Sequence, residues 1–266
     1  MPTTAKFSLK TCQHLPDILK RNDVIYDAEI MAMEPTPMNL LHNSSGIESL
    51  KVKSYMPISP TFFLHLKSLR NLKVEILVNY LGSDKLGYLT TEHFQNLTAL
   101  KNLTITSTFS KSFPAHIFSS LGELEHLSLQ YNNLSELQEN SFAAQEKLIS
   151  LDLSWNLLEY LPEKLFENTS SLRYLYLSEN YFSNPSIIIA CTKPLGYLNQ
   201  MDLSHNKLRT IGGNDSYVNE TILTNFERLE DFTPPLSNKN HSGENERRHF
   251  IWLDLSFNPI KIFNTN

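Results

Sequence analysis

One short motif of leucines and an asparagine recurs along the chain and constrains its fold more than any other feature. The motif is Leu-x-x-Leu-x-Leu-x-x-Asn, and one copy runs from Leu124 to Asn132. Further copies, some with one substituted position, run from Leu148 to Asn156, Leu172 to Asn180, Leu198 to Asn206 and Phe250 to Asn258. A unit of this size buries its apolar face only against its neighbours, so the period predicts a solenoid of stacked repeats.

The spacing of the copies sets the register of the predicted array. Including three weaker early copies, the repeats begin at residues 47, 69, 100, 124, 148, 172, 198 and 250. Three consecutive intervals are 24 residues long, and the longer interval after residue 69 indicates an insertion near residues 80–90. The last interval, 52 residues, holds either one degenerate repeat or a long insertion. We therefore predict an irregular segment or partial N-terminal cap at residues 1–46 and repeats at residues 47–266, with an insertion at about 209–249.

Each unit is predicted to contribute one short strand. Strands of successive units would pair in parallel, with the leucines inward and the intervening residues outward on a concave face. The asparagines would turn inward and satisfy buried backbone groups, which makes this column structural: Asn132, Asn156, Asn180, Asn206 and Asn258. A column of phenylalanines, each six residues before the next repeat, predicts a stacked aromatic spine on the convex side: Phe63, Phe94, Phe118, Phe142 and Phe166.

Charge and motif content exclude several classes of function. The net charge is -5 and no long basic run occurs, so we predict no nucleic-acid partner. The sequence has neither a cysteine and histidine cluster with metal-ligand spacing nor a glycine-rich phosphate loop, so we predict no metal and no cofactor. Asp202, Ser204 and His205 lie on one strand and turn, where side chains diverge instead of forming a catalytic triad. The chain is therefore predicted not to be an enzyme.

The variable residues between the leucines are the candidates for binding. Exposed aromatic side chains beside acidic ones are typical of protein-binding hot spots. We predict a ligand-binding concave face formed by His126, Tyr131, Asp152, Trp155, Tyr174, Tyr176, Glu179, Asp202 and His205. Its best cluster is formed by Tyr131, Trp155, Tyr174 and Tyr176. The alternative interpretation is that the aspartates belong to the Leu-Asp-Leu-Ser signature that such repeats share.

Glycosylation sequons indicate an extracellular protein. They lie at Asn43, Asn96, Asn102, Asn133, Asn168, Asn214, Asn219 and Asn240. The N-terminal residues lack the apolar stretch of a secretion signal, so we expect that signal to be missing from this sequence. Cys12 and Cys191 would be separated by roughly six strands of about 4.8 Å each, too far for the Cα separation of about 7 Å that a disulfide allows.

The period, the phenylalanine column and the segment from Leu161 to Phe166 resemble the typical class of extracellular leucine-rich repeats, an α/β solenoid shaped like a horseshoe. Residues 58–132 resemble the N-terminal repeats of insect Toll receptors, with a weak first repeat, an insertion and then regular repeats. Residues 191–207, CTKPLGYLNQMDLSHNK, resemble the Toll stretch before a lengthened repeat that leads to another Leu-Asp-Leu-Ser unit. The resemblance covers residues 47–262 and identifies the chain as a truncated Toll receptor ectodomain.

This resemblance implies a cell-surface receptor that binds a Spätzle-type cystine-knot cytokine through its N-terminal repeats, in innate immunity or development. Toll receptors also have a membrane span and a cytoplasmic signalling domain. The membrane would therefore be reached only through a missing C-terminal segment, and a receptor dimer is compatible with this class. Two alternatives stay open, a cytosolic leucine-rich-repeat scaffold and a secreted soluble leucine-rich-repeat binding protein.

Overall fold

The chain forms a row of short parallel strands. The computed structural model describes residues 4–9, 27–32, 41, 45–77, 89–211, 252–259 and 262–263. The strands are β1 Thr4–Leu9, β2 Asp27–Ala32, β3 Ser49–Ser54, β4 Asn71–Ile76, β5 Asn102–Thr106, β6 His126–Ser128, β7 Ser150–Asp152, β8 Tyr174–Tyr176, β9 Gln200–Asp202, β10 Thr210–Ile211, β11 Trp252–Asp254 and β12 Ile262–Phe263. Helices in these residues are α1 Thr91–Phe94 and α2 Pro185–Thr192.

One parallel sheet runs through the described repeats in chain order, from β1 to β9 and then β11. Equivalent residues of successive repeats pair without a shift: Leu127 lies opposite Leu151, Leu151 opposite Leu175, and Leu175 opposite Met201. These side chains are all buried. The predicted solenoid, with parallel strands whose leucines point inward, is confirmed.

Two strands of this sheet lie in the segment where the sequence shows no repeat. Strand β2 pairs in register with β1 on one side and β3 on the other. Ile30 lies opposite Val52, and both are fully buried. Part of residues 1–46 therefore extends the same sheet with a strand that lacks the leucines of the motif. The domain boundary at residue 46 stays a prediction.

Strands β9 and β11 pair directly, although a long stretch of sequence separates them. In this pairing Met201 lies opposite Leu253. The Asn258 side chain donates to the Leu203 carbonyl at 2.8 Å and accepts from the Leu208 N–H at 3.0 Å, as an asparagine does between adjacent repeats. In the sheet, β11 is thus the direct neighbour of β9. The insertion at about 209–249 stays a prediction. Residues 212–251 lie outside the described residues.

Four of the five phenylalanines in the column, from Phe94 to Phe166, form a continuous buried row of rings. The ring centroids of Phe94 and Phe118 lie 6.1 Å apart, those of Phe118 and Phe142 6.3 Å, and those of Phe142 and Phe166 6.5 Å. The last two pairs are nearly parallel, at 14° and 6°. Phe63, the first member, is also fully buried. The predicted aromatic spine is confirmed from Phe94 to Phe166.

The asparagine column holds the turns that follow the strands. The Asn156 amide donates to the carbonyls of Leu129 and Leu153, each at 2.9 Å. Its side-chain oxygen accepts from the backbone N–H of Asn132 at 3.1 Å and of Leu134 at 3.0 Å. Each of these bonds satisfies a backbone group that has left the strand ladder. Comparable contacts, which confirm the structural role of the column, occur at Asn132, Asn180, Asn206 and Asn258.

Cys191 is a core residue of α2 and not part of a disulfide in the described residues. Its thiol donates to the Ile188 carbonyl at 3.1 Å, and burial raises its pKa to about 12. Such a thiol is unreactive near neutral pH. Cys12 lies outside the described residues. The absence of a disulfide between Cys12 and Cys191 therefore remains a prediction.

His93, which the sequence analysis does not single out, is buried at the end of α1. The Thr90 N–H donates to its Nδ1 at 3.0 Å, and its Nε2 lies 3.1 Å from the Ile58 carbonyl. Because Nδ1 accepts, the ring is the neutral tautomer with its proton on Nε2. Burial lowers the pKa of His93, outweighing the hydrogen bonds to Ile58 and Thr90 and the charge of Glu92, which raise it.

We expect the stability of the fold to fall as the pH drops below about 6.5, the ordinary pKa of histidine. The folded-state pKa of His93 is the lower one, so the unfolded chain binds the proton first. Stability is lost from that pH down to the folded pKa, by up to about 1.4 kcal/mol per pH unit. Urea unfolding between pH 5 and 7.5 should show a weaker pH dependence in His93→Gln, whereas the exposed-residue control His126→Gln should keep it. An equal slope of unfolding free energy against pH in His93→Gln and the unchanged chain would contradict the assignment of this pH dependence to His93.

Candidate ligand-binding surface

The outward residues of the strands form two rows across the sheet. One row consists of His126, Ser150, Tyr174 and Gln200, and the other of Ser128, Asp152, Tyr176 and Asp202. All are at least partly exposed, while the residue between them on each strand is buried. The structure therefore places Tyr176 directly between the two predicted aspartates, on three adjacent strands.

These aspartates have a structural task as well. Oδ1 of Asp152 accepts from the Ser154 N–H at 2.9 Å, and Oδ1 of Asp202 accepts from the Ser204 N–H at 2.9 Å. Asp254 makes the same contact, at 2.8 Å. One carboxylate oxygen of each residue is thus used to hold the turn after its strand, which supports the interpretation of Leu-Asp-Leu-Ser as a repeat signature.

The sheet face is nevertheless acidic around β7 to β11. Among the described residues, no lysine or arginine forms an ion pair with Asp152, Asp202 or Asp254. On the earlier strands lysines pair with glutamates: Lys51 with Glu29 at 3.1 Å, and Lys53 with Glu75 at 2.9 Å. Burial, followed by the charge of Asp152, raises the pKa of Tyr176, and Asp202 contributes in the same sense. The negative potential of this region is therefore not neutralised by basic side chains in the described part of the chain.

A third row, which we call the edge column, follows the ends of the strands. Each member except the last donates its N–H to a carbonyl of the next repeat, as Trp155 does to Ser178 at 3.0 Å and Glu179 to Ser204 at 3.1 Å. All have a left-handed backbone, which costs a residue other than glycine about 1 kcal/mol. The edge column consists of Tyr131 (φ 59°), Trp155 (57°), Glu179 (54°), His205 (54°) and Phe257 (57°).

The edge column contains two stacked ring pairs with a carboxylate between them. The centroids of Tyr131 and Trp155 lie 5.1 Å apart at an interplanar angle of 24°, and the two residues are 48% and 47% exposed. His205 and Phe257 stack at 4.0 Å and 14°. Glu179 lies between the pairs, with Oε1 3.4 Å from Nδ1 of His205, a contact that is an ion pair only when the imidazole is protonated.

A groove of about 610 Å³ runs along this column. Its other side is formed by residues two positions further along each repeat, which the sequence analysis did not predict: Phe109, Asn133, Leu157, Tyr181 and Lys207. The ammonium of Lys207 lies 3.8 Å from the centroid of the Tyr181 ring, a cation–π contact. These residues vary from repeat to repeat and follow the asparagine position of the motif, which is Thr108 in the first of these repeats; this is the signal that could have identified them.

The four predicted aromatic anchors occupy two neighbouring places instead of one cluster. Tyr131 and Trp155 stack in the edge column, while Tyr174 and Tyr176 lie on β8. Within the described part of the chain, ring stacking joins only the first two of these four residues. The separation arises because the edge column begins where the backbone leaves the strand and turns left-handed.

Four of the eight sequons lie in the described residues. The side chains of Asn133 and Asn168 are exposed and that of Asn96 is half-buried. The Asn102 amide lies on the strand face and donates to Oδ1 of Asn71 at 2.6 Å. The predicted sites that lie outside the described residues are Asn43, Asn214, Asn219 and Asn240.

The described residues show no triad geometry. The Asp202 carboxylate holds the Ser204 backbone N–H, whereas His205 faces Glu179. No group of three or more His, Cys, Asp or Glu in the described ranges is placed to hold a metal ion. Neither helix of those ranges is long and apolar enough to cross a membrane.

The parallel-strand solenoid is that of a leucine-rich-repeat domain. The Leucine rich repeat family matches residues 98–158 and 123–182. The predicted α/β leucine-rich-repeat solenoid is thereby confirmed. The match to this family of binding proteins also agrees with the prediction that the chain is not an enzyme.

Solved structures with this fold include TLR13 in complex with ssRNA13, 20% identical, with a TM-score of 0.65 over 90% of this chain and 29% of that one. The Drosophila Toll–Spatzle complex is 17% identical, with a TM-score of 0.59 over 98% and 37% of the two chains. A leucine-rich-repeat protein of Leptospira interrogans is 22% identical, with a TM-score of 0.59 over 79% and 49%. The chain thus spans less than two fifths of the TLR13 and Toll chains. No curated protein matches the sequence significantly.

Proposed function

We propose that this chain is part of a Toll-like receptor ectodomain that binds a protein ligand on its sheet face and edge column. The observation that carries the proposal is the stacked pair of Tyr131 and Trp155, whose rings stay about half exposed on a strained backbone. A monomeric protein has no structural need to hold two large rings in solvent at that cost. Tyrosine and tryptophan are the side chains most enriched at binding hot spots.

The charge of the surface favours a basic protein over a nucleic acid. TLR13 is seen with RNA, so the fold itself admits such a ligand. Phosphate binding, however, requires a surface rich in lysine and arginine. Here the outward row of the sheet contains Asp152 and Asp202, Glu179 lines the groove with the aromatic pair, and the net charge is -5. Opposite charge on the partner would steer association toward this face.

The ligand that fits the proposal is a Spätzle-type cystine-knot cytokine, because a protein of the same fold, Toll, is seen with Spatzle. The complete receptor would act in innate immune or developmental signalling at the outer face of the cell membrane, anchored by a segment beyond this sequence. Dimer formation would accompany signalling. The sequon at the exposed Asn168, which does not line the groove, is consistent with secretion.

Replacing Trp155 with alanine is expected to weaken binding of the processed Spätzle-type cytokine at least about tenfold, or about 1.4 kcal/mol. The truncation removes half of the exposed ring pair and leaves the buried leucines of the repeat unchanged. Isothermal titration of the secreted, glycosylated ectodomain would give the dissociation constant. The free energy of unfolding should change by no more than about 1 kcal/mol.

Tyr160→Ala is the matched control, because Tyr160 is 46% exposed and does not line the groove. Its affinity for the cytokine should equal that of the unchanged chain. Equal affinity in Trp155→Ala would refute the site, and absence of cytokine binding by the unchanged chain would refute the receptor proposal. Expression with a signal peptide tests the cytosolic alternative: a glycosidase-sensitive mass shift rejects it, and a constant mass supports it.

A further inference from the structure

The edge column is interrupted at one place, and the interruption has a defined size. Trp155 stacks on Tyr131 and His205 stacks on Phe257, so each of these two rings has one face that its stacking partner does not cover. Successive members of the column are joined by backbone hydrogen bonds across neighbouring repeats and are therefore about 4.8 Å apart. The backbone positions of Trp155 and His205 are two such spacings, about 9.6 Å, apart.

A planar group fits between these two ring faces. Carbon atoms in contact lie about 3.5 Å apart, so a plane sandwiched between two rings needs about 7 Å. Glu179 is the residue between them, and its side chain is 31% exposed and lines the groove. The gap is therefore lined by two aromatic rings and by the Glu179 carboxylate, whose Oε1 lies 3.4 Å from Nδ1 of His205.

These features together select a guanidinium group. It is planar, stacks on aromatic faces and forms two parallel hydrogen bonds with one carboxylate. An ammonium neither stacks as a plane nor forms this paired contact. The groove already holds one cation on an aromatic ring, since Lys207 lies over Tyr181. A nucleobase would also stack, but its phosphates would face the carboxylates of Glu179 and Asp202.

We propose that the gap at Glu179, between Trp155 and His205, receives an arginine side chain of the protein ligand. The inference rests on the proposed function and adds the chemistry of one contact to it. Glu179 pairs with the guanidinium and the two rings enclose it, so this residue determines specificity for a basic ligand. The contact places the arginine near the outward row of the sheet that contains Asp152 and Asp202.

A peptide titration tests the contact without the cytokine. The probe is acetyl-Gly-Arg-Gly-amide, with peptides containing lysine or citrulline for comparison, and the readout is the indole N–H resonance of Trp155. The chain has two tryptophans, so Trp155→Phe assigns the signal. We expect saturable shifts with the arginine peptide, binding about fivefold weaker with lysine and no saturation with citrulline, which is planar but uncharged.

Glu179→Gln should weaken binding of the arginine peptide about tenfold, and it should also weaken binding of the cytokine. Glu163→Gln, which changes an exposed glutamate outside the groove, should leave both unchanged. Equal binding of citrulline and arginine, unchanged binding in Glu179→Gln, or tighter binding of a single-stranded uridine oligonucleotide at Trp155 would each overturn the proposal. Cytokine binding that depends on Trp155 but not on Glu179 would reject the arginine contact while keeping the receptor function.

Discussion

The Phe142→Ala variant should be less stable than the unchanged chain by about 4 kcal/mol in the free energy of unfolding. Phe142 is fully buried and stacks on two other rings, Phe118 at 6.3 Å and Phe166 at 6.5 Å. Truncation removes the apolar surface of a whole ring and leaves a cavity between two repeats that are fixed by their strands. Because each repeat is stabilised only by its neighbours, loss of this contact separates the array into two weaker blocks.

Urea unfolding followed by circular dichroism would measure the Phe142→Ala effect, and hydrogen exchange would locate it. Exchange should accelerate first in β6 and β7, on either side of the cavity. Phe142→Leu keeps most of the volume and should lose no more than about 1.5 kcal/mol. Tyr160→Ala, which removes a 46% exposed ring, should change stability by less than about 0.5 kcal/mol. A loss below about 1 kcal/mol in Phe142→Ala would show that the spine does not bind the repeats together.

The Asn156→Ala variant is expected to lose a similar amount, about 4 kcal/mol, by a different mechanism. The amide group of Asn156 accepts two backbone hydrogen bonds and donates to the carbonyls of Leu129 and Leu153. Alanine leaves the N–H groups of Asn132 and Leu134 buried without their partner, and each such group costs about 1–3 kcal/mol. The variant removes few apolar contacts, so most of the loss comes from polar groups.

The control for Asn156→Ala is Asn140→Ala, at an exposed position in a turn. Its free energy of unfolding should stay within about 0.5 kcal/mol of the unchanged chain. Equal stability of the two variants, measured by urea unfolding at pH 7.5, would mean that water satisfies the backbone groups around residue 156. A large loss confined to Asn156→Ala would establish the asparagine column as a chain of obligatory hydrogen bonds.

The regular part of the fold is predictable because each recurring position of the motif has one structural role. The strand leucines, Phe142 and Asn156 recur at a fixed interval, and their surroundings repeat with them. Strand β2 was not predictable in this way. Ile30 fills a core position without the leucine pattern, since any apolar side chain of suitable size serves there.

The candidate surface was only partly predictable for a related reason. Alternation along a strand identifies Tyr174 and Tyr176 as outward residues, and burial in the structure agrees. The direction of the Trp155 side chain depends on a left-handed backbone. An aromatic residue rarely adopts this conformation, and local sequence preferences do not predict it. The far wall of the groove, with Tyr181 and Lys207, lies in a loop where no periodicity specifies side-chain direction.

The direct pairing of β9 with β11 has a consequence for how such a chain changes over time. Residues 203–251 separate two strands that are nearest neighbours, and Asp202 still lies opposite Asp254 as if they were one regular interval apart. The sheet therefore depends on the order of the strands and not on the length of chain between them. An insertion or deletion at this junction is therefore compatible with an unchanged alignment of the outward residues before and after it.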